Sequence, residues 1–80
     1  MDNRHSIKLR NSGHSTLRIV IEPWANEWDL PVGSVGEVVS VGGEGKPVID
    51  LDVMANGRIV FWVETAGSVY EYWQDGQLID

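Results

Sequence analysis

Apolar and polar side chains alternate along most of this chain with the two-residue period of β-strands. Leu17, Ile19 and Ile21 alternate with Thr16, Arg18 and Glu22, with Val20 as the exception, and residues 48–54 show the same alternation. No segment spaces its apolar residues at i, i+3 and i+4, as an amphipathic helix requires. The pattern therefore predicts an all-β protein.

Turn residues divide the chain into six or seven short strands. Pro23 has no backbone N–H, so the first strand is predicted to end there or to run along a sheet edge. Residues 31–33 are predicted to turn a hairpin, and the Asn-Gly and Asp-Gly pairs at 56–57 and 75–76 are typical of type I′ turns. The predicted strands are residues 16–22, 26–30, 36–42, 48–54, 58–64, 68–74 and 77–80. This spacing predicts a small antiparallel barrel or sandwich, mostly meander connected.

Two of the predicted strands differ in how their apolar residues are placed. In residues 58–64 both faces are apolar, with Phe61 on one face and Trp62 on the other. A strand of this kind is central in its fold or lines a partner site. In residues 48–54 the alternation turns one row toward the core: Ile49, Leu51 and Val53.

Charge is divided unevenly between the first residues and the rest of the chain. The net charge is −6, but residues 1–18 carry four basic side chains against Asp2, a balance of +3, and residues 19–80 carry two against eleven carboxylates, a balance of −9. Residues 1–15 lack a hydrophobic period and are predicted to be a flexible basic arm preceding a single β domain at 16–80. Such an arm could contact nucleic acid. Since the cations form no dense run, an arm lying against its own acidic domain explains them better, and nucleic acid is not an expected partner.

Composition narrows the protein's class and location. The chain has 80 residues, no cysteine and four tryptophans, so disulfides are excluded and large aromatic rings or oligomerisation must enlarge a small core. No apolar run approaches the roughly 20 residues of a membrane span. No apolar segment follows the basic N-terminus, as a secretory signal requires. We therefore expect a cytoplasmic protein with no membrane partner.

The sequence offers little for catalysis or for a cofactor. His5 and His14 both lie in the predicted arm, so no nucleophile–base pair can be assembled. Asp50 and Asp52 share a strand face and are interpreted as solvated. The glycines of residues 42–47 lack the spacing and the following helix of a phosphate-binding loop. We therefore predict a non-catalytic chain with no cofactor and no bound metal.

The aromatic side chains remain the most informative candidates. The proposed binding residues combine exposed rings with nearby carboxylates: Trp24, Glu22, Glu27, Trp62, Tyr70 and Tyr72. Tryptophan and tyrosine dominate binding hot spots, so one interpretation is a protein-interaction face for a basic partner or for a second copy in a homodimer. The alternatives are a ligand-binding module for carbohydrate or for a hard cation such as calcium, and an aromatic set that only fills the core.

Two short motifs resemble those of a known group of sequences. Glu22-Pro23-Trp24 and the Leu-Pro-Val-Gly-Ser segment at 30–34, followed by an Ile-containing strand that ends near Trp62, are similar to a group of short uncharacterised bacterial all-β proteins. The resemblance covers about residues 16–73. It implies a small β domain and carries no role for any residue.

Overall fold

Eight strands and no helix make up the regular structure of residues 3–80, the part of the chain that the computed structural model describes. No helix in this part is long and apolar enough to cross a membrane. The prediction of an all-β chain is confirmed, with one strand more than expected. The strands are β1 (Arg4–Arg10), β2 (Leu17–Glu22), β3 (Asn26–Leu30), β4 (Val35–Gly42), β5 (Ile49–Val53), β6 (Arg58–Val63), β7 (Ser68–Gln74) and β8 (Gln77–Leu78).

The strands form two four-stranded sheets that share one hydrophobic core. Sheet A has the order β1-β4-β7-β8, and sheet B has the order β3-β2-β6-β5. All neighbours are antiparallel except β2 and β6, which pair in parallel. The sheets do not close on one another, so the barrel alternative is wrong. The core contains Ile19, Ile21, Leu30, Val38, Ile59, Phe61, Val63 and Tyr72.

The connections depart from the predicted meander. Strands consecutive in sequence are neighbours only in β2–β3, β5–β6 and β7–β8. The turn at residues 31–34, closed by a 3.0 Å hydrogen bond from the Ser34 N–H to the Pro31 carbonyl, leads from sheet B to sheet A instead of forming a hairpin. Leu30 and Val38 must face the same core from opposite sides, and a hairpin would have left both strands in one layer.

The two turns predicted as type I′ have different geometries. Asp75 and Gly76 both have positive φ, 51° and 82°, which confirms the type I′ turn between β7 and β8. In the β5–β6 hairpin only Gly57 has positive φ, and the loop is four residues long, closed by hydrogen bonds from Gly57 N–H to Met54 O and from Met54 N–H to Arg58 O. The hairpin is confirmed, but its predicted turn type is wrong.

The predicted flexible arm is wrong for residues 4–10, which form strand β1. This strand pairs with β4 over its whole length, from Arg4 opposite Val41 to Arg10 opposite Val35. Ile7 and Leu9 are half-buried and pack against the core. Two apolar residues gave too weak a sequence signal, and β4 supplies the missing hydrogen bonds. The first two residues of the predicted arm lie outside the described residues.

The apolar row predicted to point inward on β5 is largely exposed. Leu51 lies opposite Phe61 and Val53 opposite Ile59, so both are on the core-facing side of sheet B. Their exposed fractions are nevertheless 43% and 72%, and only Ile49 is half-buried. The prediction of burial is wrong for Leu51 and Val53 because β5 is an edge strand that extends beyond the shared core.

Candidate functional site

The outer face of sheet B places Trp62 between carboxylates. Trp62 lies opposite Glu22 of β2 on one side and opposite Asp50 of β5 on the other. Directly opposed residues share a face of a sheet. We call this surface the acidic face, defined by Glu22, Asp50, Asp52, Val60, Trp62 and Glu64.

The indole of Trp62 is held in place while part of its ring stays accessible. Its Nε1–H donates a hydrogen bond of 3.1 Å to Asp52 Oδ2, and 38% of the residue is exposed. Val60 and Val20 are opposite each other on the same side of the sheet, Val20 being only 7% exposed. An apolar floor therefore continues from the indole across the centre of the sheet.

Charges beside β3 are neutralised within the protein. Arg18 contacts Glu27 at 2.9 Å and Asp29 at 2.8 Å, and Arg58 contacts the same Glu27 oxygen at 3.3 Å. These carboxylates raise the pKa of Arg18, chiefly through its hydrogen bond to Glu27. Glu27, one of the predicted binding residues, is therefore occupied by ion pairs and not directly available to a cationic ligand.

Charges beside β5 are not neutralised. Within residues 3–80, no cation forms an ion pair with Glu22, Asp50, Asp52 or Glu64. The hydrogen bond with Asp50 raises the pKa of Glu64, and the charge of Asp50 and partial desolvation act in the same direction. Because these carboxylates repel one another, a cation placed among them would lower the electrostatic energy of the face.

The other predicted aromatic residues lie elsewhere. Trp24, 37% exposed, is in the β2–β3 turn with its ring centroid 4.7 Å from that of Tyr70. Tyr70 is half-buried at the end of the core, where its hydroxyl donates to Asp80 and accepts from Asn26. Burial, followed by the Asp80 contact, raises the pKa of Tyr70 to about 12.

Tyr72 belongs to the core, so its choice as a binding residue is wrong. It is fully buried, stacks on Trp28 with ring centroids 4.9 Å apart, and has its pKa raised to about 12, mainly by desolvation and also by the charge of Asp75. Trp24, Trp62 and the two tyrosines therefore do not share one sheet face. Trp62 is the member of that group that lies on the outer face of sheet B.

Sequence reasoning missed the position of the β5 carboxylates beside Trp62. Asp50 and Asp52 were interpreted as a solvated strand face, which they are, but the β5–β6 register brings them to the indole. It also missed Asn11, which is 2% exposed and donates 2.9 Å hydrogen bonds to the carbonyls of Ser15 and Leu30. For Asn11 the available sequence signal was an asparagine that precedes a glycine-containing loop.

Comparisons with protein-family models, curated proteins and solved structures find no match to this chain. The resemblance to short bacterial all-β proteins therefore stays an expectation. Among the described residues, no group of three or more His, Cys, Asp or Glu side chains could hold a metal ion. The acidic face thus offers an indole, an apolar floor and carboxylates without an ion-pair partner, a combination suited to binding organic cations.

Proposed function

We propose that this chain is a two-sheet sandwich that acts as a non-catalytic protein-interaction module, binding a basic segment of a partner protein on its acidic face. The observation that carries the proposal is the exposed Trp62 between Glu22 and Asp50, carboxylates without an internal cation. Tryptophan is the strongest aromatic partner for a lysine or arginine side chain. Carboxylates on both sides would add charge-assisted hydrogen bonds to the same cation.

The charge of the whole chain supports a basic partner. A net charge of −6 and a sequence pI near 4.6 favour the approach of a cationic protein by long-range attraction. This attraction is screened by salt. Binding should therefore weaken as ionic strength rises, whereas binding through apolar contacts alone would not.

Two tryptophans of similar exposure provide a matched test. Trp62 is 38% exposed on the acidic face, and Trp24 is 37% exposed in the β2–β3 turn, where its ring packs against Tyr70. Basic proteins are first captured on the immobilised chain and purified. Each is then titrated against the wild-type chain and against the Trp62→Ala and Trp24→Ala variants. We expect Trp62→Ala to weaken binding at least about tenfold, the size of a modest hot spot, and Trp24→Ala to leave it unchanged. Equal affinity for Trp62→Ala would remove the acidic face from the proposal.

A carbohydrate ligand is the second candidate, because an exposed indole beside carboxylates can also stack on a sugar ring. Tryptophan fluorescence across a glycan panel tests it, and a response that Trp62→Ala abolishes would favour sugar over protein. Calcium has less support, since the described residues contain no metal-binding group. A melting temperature unchanged by millimolar calcium would exclude it.

The proposal includes a cytoplasmic location, no membrane partner and no nucleic-acid partner. Cell fractionation with an antibody to the chain tests the location. Retention of the chain on heparin or DNA resin at physiological salt would contradict the exclusion of nucleic acid, since its acidic face should repel phosphate.

A further inference from the structure

The four sheet edges differ in how they are protected against another strand. β8 has two residues. β3 lies between Pro23 and Pro31 and has its carboxylates held by Arg18. β1 carries basic side chains along its outer face, which discourage pairing. β5 is five residues long, has no basic side chain and has a proline on one side only, Pro47, and it is the described edge with an exposed apolar row.

The backbone of β5 is free to bond on its outer side. The flanking hydrogen bonds, Glu64 N–H to Val48 O and Met54 N–H to Arg58 O, show that even-numbered residues bond to β6. Because bonding alternates along an antiparallel ladder, Ile49, Leu51 and Val53 direct their N–H and C=O groups away from β6. No strand lies on that side within residues 3–80.

The two faces of β5 have opposite character. Leu51 and Val53 are exposed on the core-facing side of sheet B. Asp50 and Asp52 are exposed on the other side, next to Trp62. An added strand would complement both faces if apolar and basic side chains alternated along it. Its apolar side chains would cover Leu51 and Val53, and its basic side chains would lie beside the aspartates.

The β5 strand of a second copy fits the edge poorly. Antiparallel pairing through the free groups must place odd-numbered residues opposite odd-numbered ones. The three central registers set Leu51 against Ile49, Leu51 or Val53 of the second copy, and each brings an aspartate directly opposite another aspartate. Like charges in that position are destabilising.

We infer that β5 is the docking edge for an extended segment of a partner protein, added antiparallel to sheet B, in which lysine or arginine alternates with apolar residues. The inference rests on the proposed function, because the partner's cations would occupy the acidic face. It goes further by assigning the backbone of β5 as the element that aligns the partner. Strand addition of this kind takes affinity from main-chain hydrogen bonds and specificity from alternate side chains.

The test uses a blocked seven-residue peptide, Lys-Val-Lys-Val-Lys-Val-Lys, with the full chain. We expect binding to slow hydrogen exchange at the amides of Ile49, Leu51 and Val53 by about tenfold or more, because these amides have no partner in the free protein. The amides of Asp50 and Asp52 already bond to β6 and should change little. The same peptide with glutamate in place of lysine should not bind.

Two N-methylated peptides separate strand addition from simple charge attraction. In an antiparallel pair the valines opposite Leu51 and Val53 supply the bonding N–H groups, so N-methylation of the valines should abolish binding. N-methylation of the lysines, whose N–H groups point outward, should preserve it. Equal binding of both peptides would overturn the inference.

Substitutions in the chain supply a second readout. Asp52→Lys should weaken peptide binding about tenfold, whereas Glu44→Lys, the same charge change in the exposed loop before β5, should have little effect.

Peptide binding that depends on Trp62 without protection of the Leu51 and Val53 amides would overturn strand addition and leave the proposed function intact. Failure of all basic peptides and proteins to bind would remove both. A dimer at neutral pH with these amides protected would identify a second copy as the occupant and overturn the inference.

Discussion

Two aromatic residues show how strand alternation and register set the role of a single side chain. Tyr72 is fully buried, stacks on Trp28 and donates a 2.9 Å hydrogen bond to Gln74 Oε1. Trp62 is partly exposed and is tied to Asp52 only through its Nε1–H. Truncating Tyr72 would remove core contacts worth about 3–5 kcal/mol, as much as a domain of this size usually has. Trp62 can therefore be substituted to test binding, whereas Tyr72 cannot.

Asn11 is expected to be the polar side chain on which the fold depends most. Its Nδ2 atom satisfies the carbonyls of Ser15 and Leu30, and its Oδ1 accepts from the Gly13 N–H at 3.1 Å. Asn11→Ala would leave these groups without partners at a buried position, so we expect a loss of about 2–3 kcal/mol in the free energy of unfolding.

Asn56→Ala is the matched control for this prediction. Asn56 is exposed and its side chain accepts one 3.3 Å hydrogen bond, from Arg58 N–H. We expect a loss of about 0.5 kcal/mol or less. Urea unfolding followed by tryptophan fluorescence measures both variants, and equal losses would show that Asn11 contributes no more than a surface turn residue.

At the scale of elements, the hydrophobic pattern predicts seven of the strands but not their neighbours. A two-residue turn at 56–57 would have paired Leu51 with Trp62, whereas the four-residue loop pairs Asp50 with Trp62. A shift of one residue moves a side chain to the opposite face, so the acidic face could not be derived before the turn length was known. Strand order was equally inaccessible, because the parallel pairing of β2 with β6 joins segments distant in sequence.

The connection from β4 to β5 contains two glycines that should differ in their tolerance of alanine. Gly43 and Gly45 both have positive φ, 84° and 79°. A Cβ on Gly43 would lie 2.6 Å from the Ala66 carbonyl oxygen and 2.9 Å from Thr65 Cγ2, whereas a Cβ on Gly45 would meet nothing within 4 Å. Gly45→Ala should lower the free energy of unfolding by about 1–2 kcal/mol, the cost of placing a residue with a Cβ in the left-handed backbone conformation.

Gly43→Ala should lower the free energy of unfolding by roughly twice as much as Gly45→Ala, because the β6–β7 connection must also move. Thermal and urea unfolding of the two variants measure the difference. Indistinguishable stabilities would mean that the contact between the two connections gives way without cost.

At the scale of the whole molecule, three of the six basic side chains lie on one edge strand: Arg4, Lys8 and Arg10 of β1. The basic strand β1 lies at the edge of sheet A, where Arg4 contacts Glu71 at 2.8 Å and its cation lowers the pKa of that carboxyl. Four carboxylates that form no ion pair within residues 3–80 lie together on the acidic face of sheet B: Glu22, Asp50, Asp52 and Glu64. The sequence predicted this asymmetry but assigned the cations to a flexible arm, because a sum of charges contains no information about strand pairing.

Stability of the whole domain should fall in alkaline solution. The folded state raises the pKa of Tyr70 and Tyr72 to about 12, from ordinary values near 10 in the unfolded chain. The unfolded state therefore loses these protons first. The stability that depends on the neutral phenols is complete below pH of about 10 and is lost as pH rises toward 12.

The two tyrosines are the only ones in the chain, so tyrosinate absorbance reports them directly. In the folded protein, the tyrosinate absorbance should increase only at pH values well above 10. The melting temperature should fall over the same pH range. Tyr70→Phe should remove one of the two titrations and reduce the fall. Titration of both phenols near pH 10, with no change in melting temperature between pH 9 and 11, would contradict the prediction.

The parallel contact between β2 and β6 also determines when a newly synthesised chain can fold. Ile19 and Ile21 emerge early but obtain their neighbours Ile59 and Phe61 only after about forty further residues have been added. At ribosomal rates of about 5–20 residues per second this interval lasts several seconds. During it the apolar face of the β2–β3 hairpin has no partner sheet, so we expect the nascent chain to be open to chaperone binding until β6 has left the ribosome.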